Sequence, residues 1–141
     1  MRQRSGLVVT TTFWDRDAYL AGNFFYDLAK ASMNRLAFAV AEELRPFGVG
    51  SVALSPGFMR TELVLATMKT DEEHYARIPA LARSESPHYV GRAVVALAGD
   101  PDVLSKSGRV LRVGALAREY GFTDLDGTQP EPFEIGADEG A

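Results

Sequence analysis

Short β-branched runs alternate along this chain with longer stretches of helical periodicity. Residues 6–12, Gly-Leu-Val-Val-Thr-Thr-Thr, are apolar and β-branched without a clean two-residue alternation, which predicts a strand buried on both faces. A polar and aromatic linker from Phe13 to Gly22 leads to Asn23, a residue type favoured at helix N-caps. A helix is expected over about 24–44. Phe25, Leu28, Ser32, Leu36, Ala39 and Val40 form one apolar stripe, which Ala29, Met33 and Ala37 broaden. Pro46 and Gly48 end it. A second strand is expected over 49–54, closed by Ser55-Pro56-Gly57. Residues 61–83 are helical in patches around Pro79. Ser86-Pro87 opens a helix that stops at Gly99, with Pro87 in the first turn. A third strand is expected over 108–113, and 116–120 reads as a last helical turn.

The order strand, helix, strand, helices, strand has connections long enough for parallel crossovers. The predicted fold class is therefore α/β, a partial doubly wound parallel sheet of three strands. Sheets of this kind usually hold about five or six strands and are covered on both faces. By counting alone the chain reads as part of something larger, the rival being a compact three-layer miniature domain.

Composition narrows the field. The chain has 141 residues, 46% hydrophobic and 24% charged, and a net charge of -4, which is ordinary for a soluble domain and wrong for a nucleic-acid-binding one. It has no cysteine, so disulfides, thiolate catalysis and cysteine-ligated zinc are excluded. Its two histidines, His74 and His88, are too few for a three-histidine metal site, and the expected metal content is none. No stretch is long and apolar enough for a membrane span, and the N-terminus lacks a signal-peptide pattern, so a cytoplasmic location is expected. Segment 123–141 carries Asp124, Asp126, Glu131, Glu134, Asp138 and Glu139 with no basic residue, and reads as a mobile acidic tail after a domain spanning 1–122. Arg109 and Arg112 could pair with it, and Asp71-Glu72-Glu73 reads as a solvated helix start.

Chemistry concentrates at Tyr26 and Lys30, four apart on the first helix and so on one face. A phenol is a poor proton donor or acceptor near neutrality, but a neighbouring ammonium favours the phenolate and lowers its pKa. The plainer reading is a solvated lysine beside a half-buried tyrosine. Context favours the first: in a parallel α/β unit the strand's C-terminal end and the next helix's N-terminal end share a rim, where such sheets bind ligands. Thr10, Thr11 and Thr12 end the first strand there, and Thr61 follows the second.

These residues carry a resemblance. Tyr26-Asp27-Leu28-Ala29-Lys30-Ala31 resembles the active-site helix of the short-chain dehydrogenase/reductase family, and Ser55-Pro56-Gly57-Phe58-Met59-Arg60-Thr61 resembles its Pro-Gly-x-x-x-Thr cofactor loop. Ala41 to Val49 matches the passage between the two, and 108–113 resembles the last core strand. The resemblance implies that 1–122 is the C-terminal half of a Rossmann-like domain. It implies Tyr26 as general acid/base, with Lys30 lowering its pKa and holding the nicotinamide ribose. Thr61 would contact the carboxamide, over a loop shaped by Pro56 and Gly57. The family's substrate-orienting serine stands 13 residues before the tyrosine, where this chain has Phe13; Thr12 is the nearest hydroxyl, with Thr11 or no working equivalent as the alternatives. Residues 62–85 take the place of the substrate lid, with Met68, Tyr75, Ile78 and Leu81 either lining an apolar pocket or simply packing.

The family's glycine-rich phosphate turn is absent, as are its Asn-Asn-Ala-Gly strand end and the asparagine of its middle helix. Phe13-Trp14-Asp15-Arg16-Asp17 suits pyrophosphate poorly. Two functions follow. One is a hydride-transferring oxidoreductase for carbonyl or alcohol substrates, using NAD or NADP in a complete enzyme; the isolated chain is expected to bind neither well. The other is a noncatalytic fragment acting as a packing or oligomerisation module. The expected partners are a second copy of the chain or a missing N-terminal half, with no nucleic acid.

Overall fold

The computed structural model describes residues 5–13, 19 and 22–132. Trp14 to Asp17, part of the segment judged unsuited to pyrophosphate, and the tail from residue 133 lie outside the described residues.

Three strands, β1 (Gly6–Thr11), β2 (Val49–Ser55) and β3 (Val110–Arg112), form a parallel sheet in the order β1-β2-β3. Thr11 is in register with Leu54, and Ser55 with Arg112, so all three strands end at one rim. β2 is buried throughout because it has a neighbour on each side and a layer on each face, whereas β1, paired along one edge, is half exposed.

Helix α1 (Phe24–Leu44) links β1 to β2. It ends in a 3-10 turn at Arg45–Phe47, closed by Gly48 at φ 66, a left-handed conformation that glycine adopts without steric cost. A short helix α2 (Glu62–Thr67), a 3-10 turn (Tyr75–Arg77), α3 (Pro87–Gly99) and a 3-10 turn (Val103–Lys106) lead to β3, and α4 (Val113–Tyr120) follows directly. Ser86 caps α3 through its hydroxyl, with Pro87 in the first turn, as expected from Ser-Pro. Asn23 makes no side-chain capping bond to α1; its carbonyl accepts from Asp27 N at 2.8 Å.

The core lies between the sheet and α3/α4. Val52 and Leu54 point to this side and meet Tyr89, Ala93, Leu97, Leu111, Leu116 and Ala117. By the two-residue alternation of a strand, Ser51 and Ala53 face the other side, where α1 lies.

The inward face of α1 differs from the expected stripe. Its buried residues are Ala37 and Ala41, flanked by half-buried Met33, Val40 and Leu44. Phe25 is 82% exposed, and Leu28 and Leu36 are also exposed. The cause is close approach: small side chains let the helix axis come near Ser51 and Ala53, which turns the bulky ones outward.

Residues 123–132, the described part of the segment expected to be mobile, make side-chain contacts with the folded domain. Gln129 Nε2 donates to Ala117 O at 3.1 Å and to Phe122 O at 2.9 Å, and Arg118 pairs with Glu131. Arg92 donates to the carbonyls of Thr123 and Asp124. Of the acids of this segment, Asp124, Asp126 and Glu131 lie among the described residues, and each is met by a cation or a donor from the folded domain.

Candidate active site

The C-terminal ends of β1 and β2 lie side by side, with Thr12 N donating to Leu54 O at 2.8 Å. Two segments project from this rim. After β1, Phe13 sets its ring edge-on to Tyr26, 5.8 Å between centroids at 67°. After β2, Pro56-Gly57 leads to Thr61, the N-cap of α2, whose hydroxyl accepts from Val64 N at 3.4 Å.

Tyr26 and Lys30 stand together on α1, the Lys30 Nζ 5.6 Å from the centre of the Tyr26 ring. The ammonium lies over the ring face rather than beside the hydroxyl, and donates to Thr11 O at 3.4 Å. The expected lowering of the phenol pKa is not present in this arrangement: partial burial pushes Tyr26 above its ordinary value. Tyr26 remains nearly half exposed, so a ligand can reach it.

Thr12 is buried, and its hydroxyl donates to the main-chain carbonyl of Lys30 at 2.9 Å, with a longer bond to Phe13 O at 3.2 Å. It meets the helix at the dyad, through the backbone of Lys30, while the side chain touching Tyr26 is Phe13.

The residues fit the nicotinamide-ribose end of a dinucleotide. Lys30 has one long hydrogen bond among the described residues, so ammonium hydrogens remain for ribose hydroxyls. Ser55 Oγ is buried at the root of the loop without a partner among the described residues. Among the described residues, no segment forms a glycine-rich turn feeding a helix at this rim.

Behind the loop lies a polar cluster that the sequence pattern did not reveal. Arg60, Glu85 and Asp124 are all buried. The Arg60 guanidinium meets Glu72 Oε1 at 2.8 Å and Asp124 Oδ2 at 3.4 Å. Asp124 accepts from Ser86 N at 2.8 Å, from the Ser86 hydroxyl and from Leu125 N at 2.7 Å. The Glu85 carboxylate accepts from the Gly57 amide, while its Oε2 has no partner among the described residues; burial pushes its pKa up to about 7. Glu72 is thus both solvated, as expected of the Asp71-Glu72-Glu73 cluster, and a counter-charge to the buried arginine. A proline- and glycine-rich context had marked Asp124 as tail, and pairing across 64 residues leaves no periodic signal.

Within the lid region Leu81 is fully buried in packing, and Tyr75 lies under the Arg60 guanidinium, 4.0 Å from ring centre to Cζ, with its hydroxyl on Asp126 at 2.9 Å. An open cleft of about 700 Å³, lined by His88, Arg92, Val95, Tyr120 and Phe122 among others, lies against α3 and α4, and neither Tyr26, Lys30 nor Thr61 lines it. His74 bonds Asp71 at 2.7 Å, and no group of three potential metal ligands occurs among the described residues. No described helix is long and apolar enough to cross a membrane.

Known proteins match this arrangement. A family model described as Enoyl-(Acyl carrier protein) reductase matches residues 1–112. The mouse Dehydrogenase/reductase SDR family member 1 is 44% identical over 110 residues, covering 74% of this chain and 35% of that protein. Its human counterpart is 41% identical over 116 residues, covering 79% and 37%. The chain therefore spans about a third of the length of these relatives. A crystal structure of a short chain dehydrogenase from Mycobacterium thermoresistibile superposes with a TM-score of 0.65 at 27% identity, over 91% of this chain and 43% of that one. An NAD(P) dependent gluconate 5-dehydrogenase from Beutenbergia cavernae, solved with bound NADP, gives a TM-score of 0.56 at 30% identity, over 78% and 45%. Sheet order, the tyrosine–lysine helix, the Pro-Gly loop and these matches agree: the chain is a partial Rossmann-like α/β unit and belongs to the short-chain dehydrogenase/reductase family.

Proposed function

We propose that this chain supplies the proton-transfer residues and the nicotinamide end of an NAD(P)-dependent oxidoreductase that interconverts a carbonyl and an alcohol. The observation that carries this reading is the shared rim. Tyr26 and Lys30, on the helix after β1, flank the same pair of strand ends as the Pro56–Thr61 loop after β2. The bound cofactor would supply or accept the hydride. Tyr26 would move the proton at the substrate oxygen, which requires the Lys30 ammonium to come off the ring face toward the phenol oxygen and ribose. Thr12 is assigned the orienting hydroxyl. Its hydrogen is committed to Lys30 O, so it would meet a substrate through its oxygen lone pairs, accepting from an alcohol. Pro56, Gly57 and Thr61 would hold the ring and carboxamide. The Beutenbergia cavernae structure with bound NADP supports the cofactor class.

The chain alone is proposed to bind neither NAD nor NADP usefully, because diphosphate and adenine contacts supply binding energy that holds the ring in reacting geometry. Its proposed partner is a missing N-terminal half or a second copy of the chain. Phe24, Phe25, Leu28, Leu36 and Phe38, all exposed on α1, support such a partner. The same exposed face supports the second reading, a noncatalytic packing module.

Two experiments test this. In a complete enzyme containing this half, Tyr26→Phe lowers turnover at least about 100-fold; near-normal turnover refutes the role of Tyr26. Calorimetric titration of residues 1–141 with NADH and NADPH gives no micromolar binding; such binding with turnover overturns the claim about the isolated chain.

A further inference from the structure

Arg60 belongs to the Pro56–Thr61 loop, yet its side chain turns away from the rim into the protein and is 2% exposed. Its Nε donates to Glu72 at 2.8 Å, and Nη1 to Ser84 O at 2.5 Å and Asp124 Oδ2 at 3.4 Å. Its guanidinium covers Tyr75, whose hydroxyl donates to Asp126. The main chain closes the connection from the other side: Arg60 N donates to Glu85 O at 2.9 Å, and Glu85 N to Phe58 O at 2.8 Å. One planar group therefore holds the middle of segment 62–85 through Glu72 and Tyr75, its end through Ser84, and the C-terminal segment through Asp124. A guanidinium presents its donors in a fixed plane, so it cannot tilt toward one partner without loosening the others. A buried charge is also costly to leave unpaired, which keeps these contacts together.

We propose that Arg60 is a positioning residue that couples the substrate lid, residues 62–85, to the cofactor loop, so that the lid and Thr61 move as one body. This rests on reading 56–61 as the loop beneath the nicotinamide and 62–85 as the lid. Release of Glu72 and Tyr75 from Arg60 then frees the adjoining Gly57–Thr61 backbone as well. Ligand at either element biases the other.

The test is amide hydrogen exchange on the full 141-residue chain, carried out on the double variant Glu72→Gln/Tyr75→Phe and, separately, on Arg60→Lys. Both changes in the double variant lie in the lid. The expected result is exchange faster by about tenfold at Gly57 to Thr61 in each variant, with the β2 amides of Val52 to Leu54 unchanged. Trypsin cleavage after Lys69, Arg77 and Arg83 should rise in parallel, relative to cleavage after Lys106. Unchanged exchange over 57–61 overturns the proposal. Equal acceleration in β2 also overturns it, since Arg60 would then serve global stability alone. Failure of the underlying reading shows elsewhere: Thr61→Val in a complete enzyme would leave cofactor affinity intact while the exchange coupling persists.

Discussion

The hydroxyl of Thr12 donates to the main-chain carbonyl of Lys30 at 2.9 Å, tying the end of β1 to the second turn of the helix that carries the tyrosine–lysine dyad. Because Thr12 is buried, this bond is shielded from competing water. Thr12→Val keeps the shape and removes the donor, and is expected to cost about 1 kcal/mol of stability. Thr12→Ser, which keeps the donor, should cost less of the hydrogen-bond contribution. Urea denaturation of the two variants checks this; equal midpoints for Val and wild type would remove the brace.

Tyr26 is expected to titrate above 10 in the ligand-free chain, because partial burial disfavours its phenolate and Lys30 sits over the ring face. The ultraviolet pH difference between wild type and Tyr26→Phe isolates this residue from the other tyrosines. A titration below 10 would show that the ammonium already acts on the hydroxyl.

Glu85 makes stability depend on pH near neutrality. Its folded-state pKa is raised from 4.5 to about 7, so between these values the folded protein binds more protons than the unfolded one. Stability is then highest below about 4.5 as far as this group is concerned, and falls as pH rises through 7, by on the order of 3 kcal/mol in total. Glu85→Gln retains an acceptor for Gly57 N–H and removes the ionisation. It should flatten this part of the profile and raise the melting temperature at pH 8. An identical slope in wild type and variant would contradict the assignment.

Gly114 is a contact point for the C-terminal segment. A Cβ there would lie 2.7 Å from Pro130 O and Pro132 N and 2.9 Å from Pro132 Cα, all main chain or ring-bound atoms that cannot rotate away. Gly114→Ala is expected to lift residues 130–132 off α4 and cost about 1–3 kcal/mol. Faster proteolysis after Arg118, with loss of its pairing to Glu131, would register the displacement; unchanged cleavage and stability would count against it.

The elements that could be read from the sequence were those with local punctuation. Pro46 and Gly48, Ser55-Pro56-Gly57, Ser86-Pro87 and Gly99 each act within a few residues of where they stand, so α1, β2 and α3 begin and end close to where these signals place them. The inward side of α1 was not legible. The helix is apolar nearly all round, and its buried side was chosen by the smallness of Ala37 and Ala41 against the sheet rather than by hydrophobicity. At the candidate site, the i,i+4 spacing puts Tyr26 and Lys30 together, but it does not distinguish an ammonium over the ring from one beside the hydroxyl. Thr12 found a main-chain partner, which has no side-chain signature. Arg60, Glu85 and Asp124 meet from three separate segments, so no local pattern marks the buried cluster they form.

The ion pair between Arg60 and Asp124 joins positions 64 residues apart, whereas the nearer partner of the guanidinium, Glu72, is half exposed. Asp124 is therefore the carboxylate that lets the arginine be sealed in the interior, because a buried charge left partly paired is costly. A chain shortened before residue 124 would keep the residues of the rim and lose the group that closes the protein behind them.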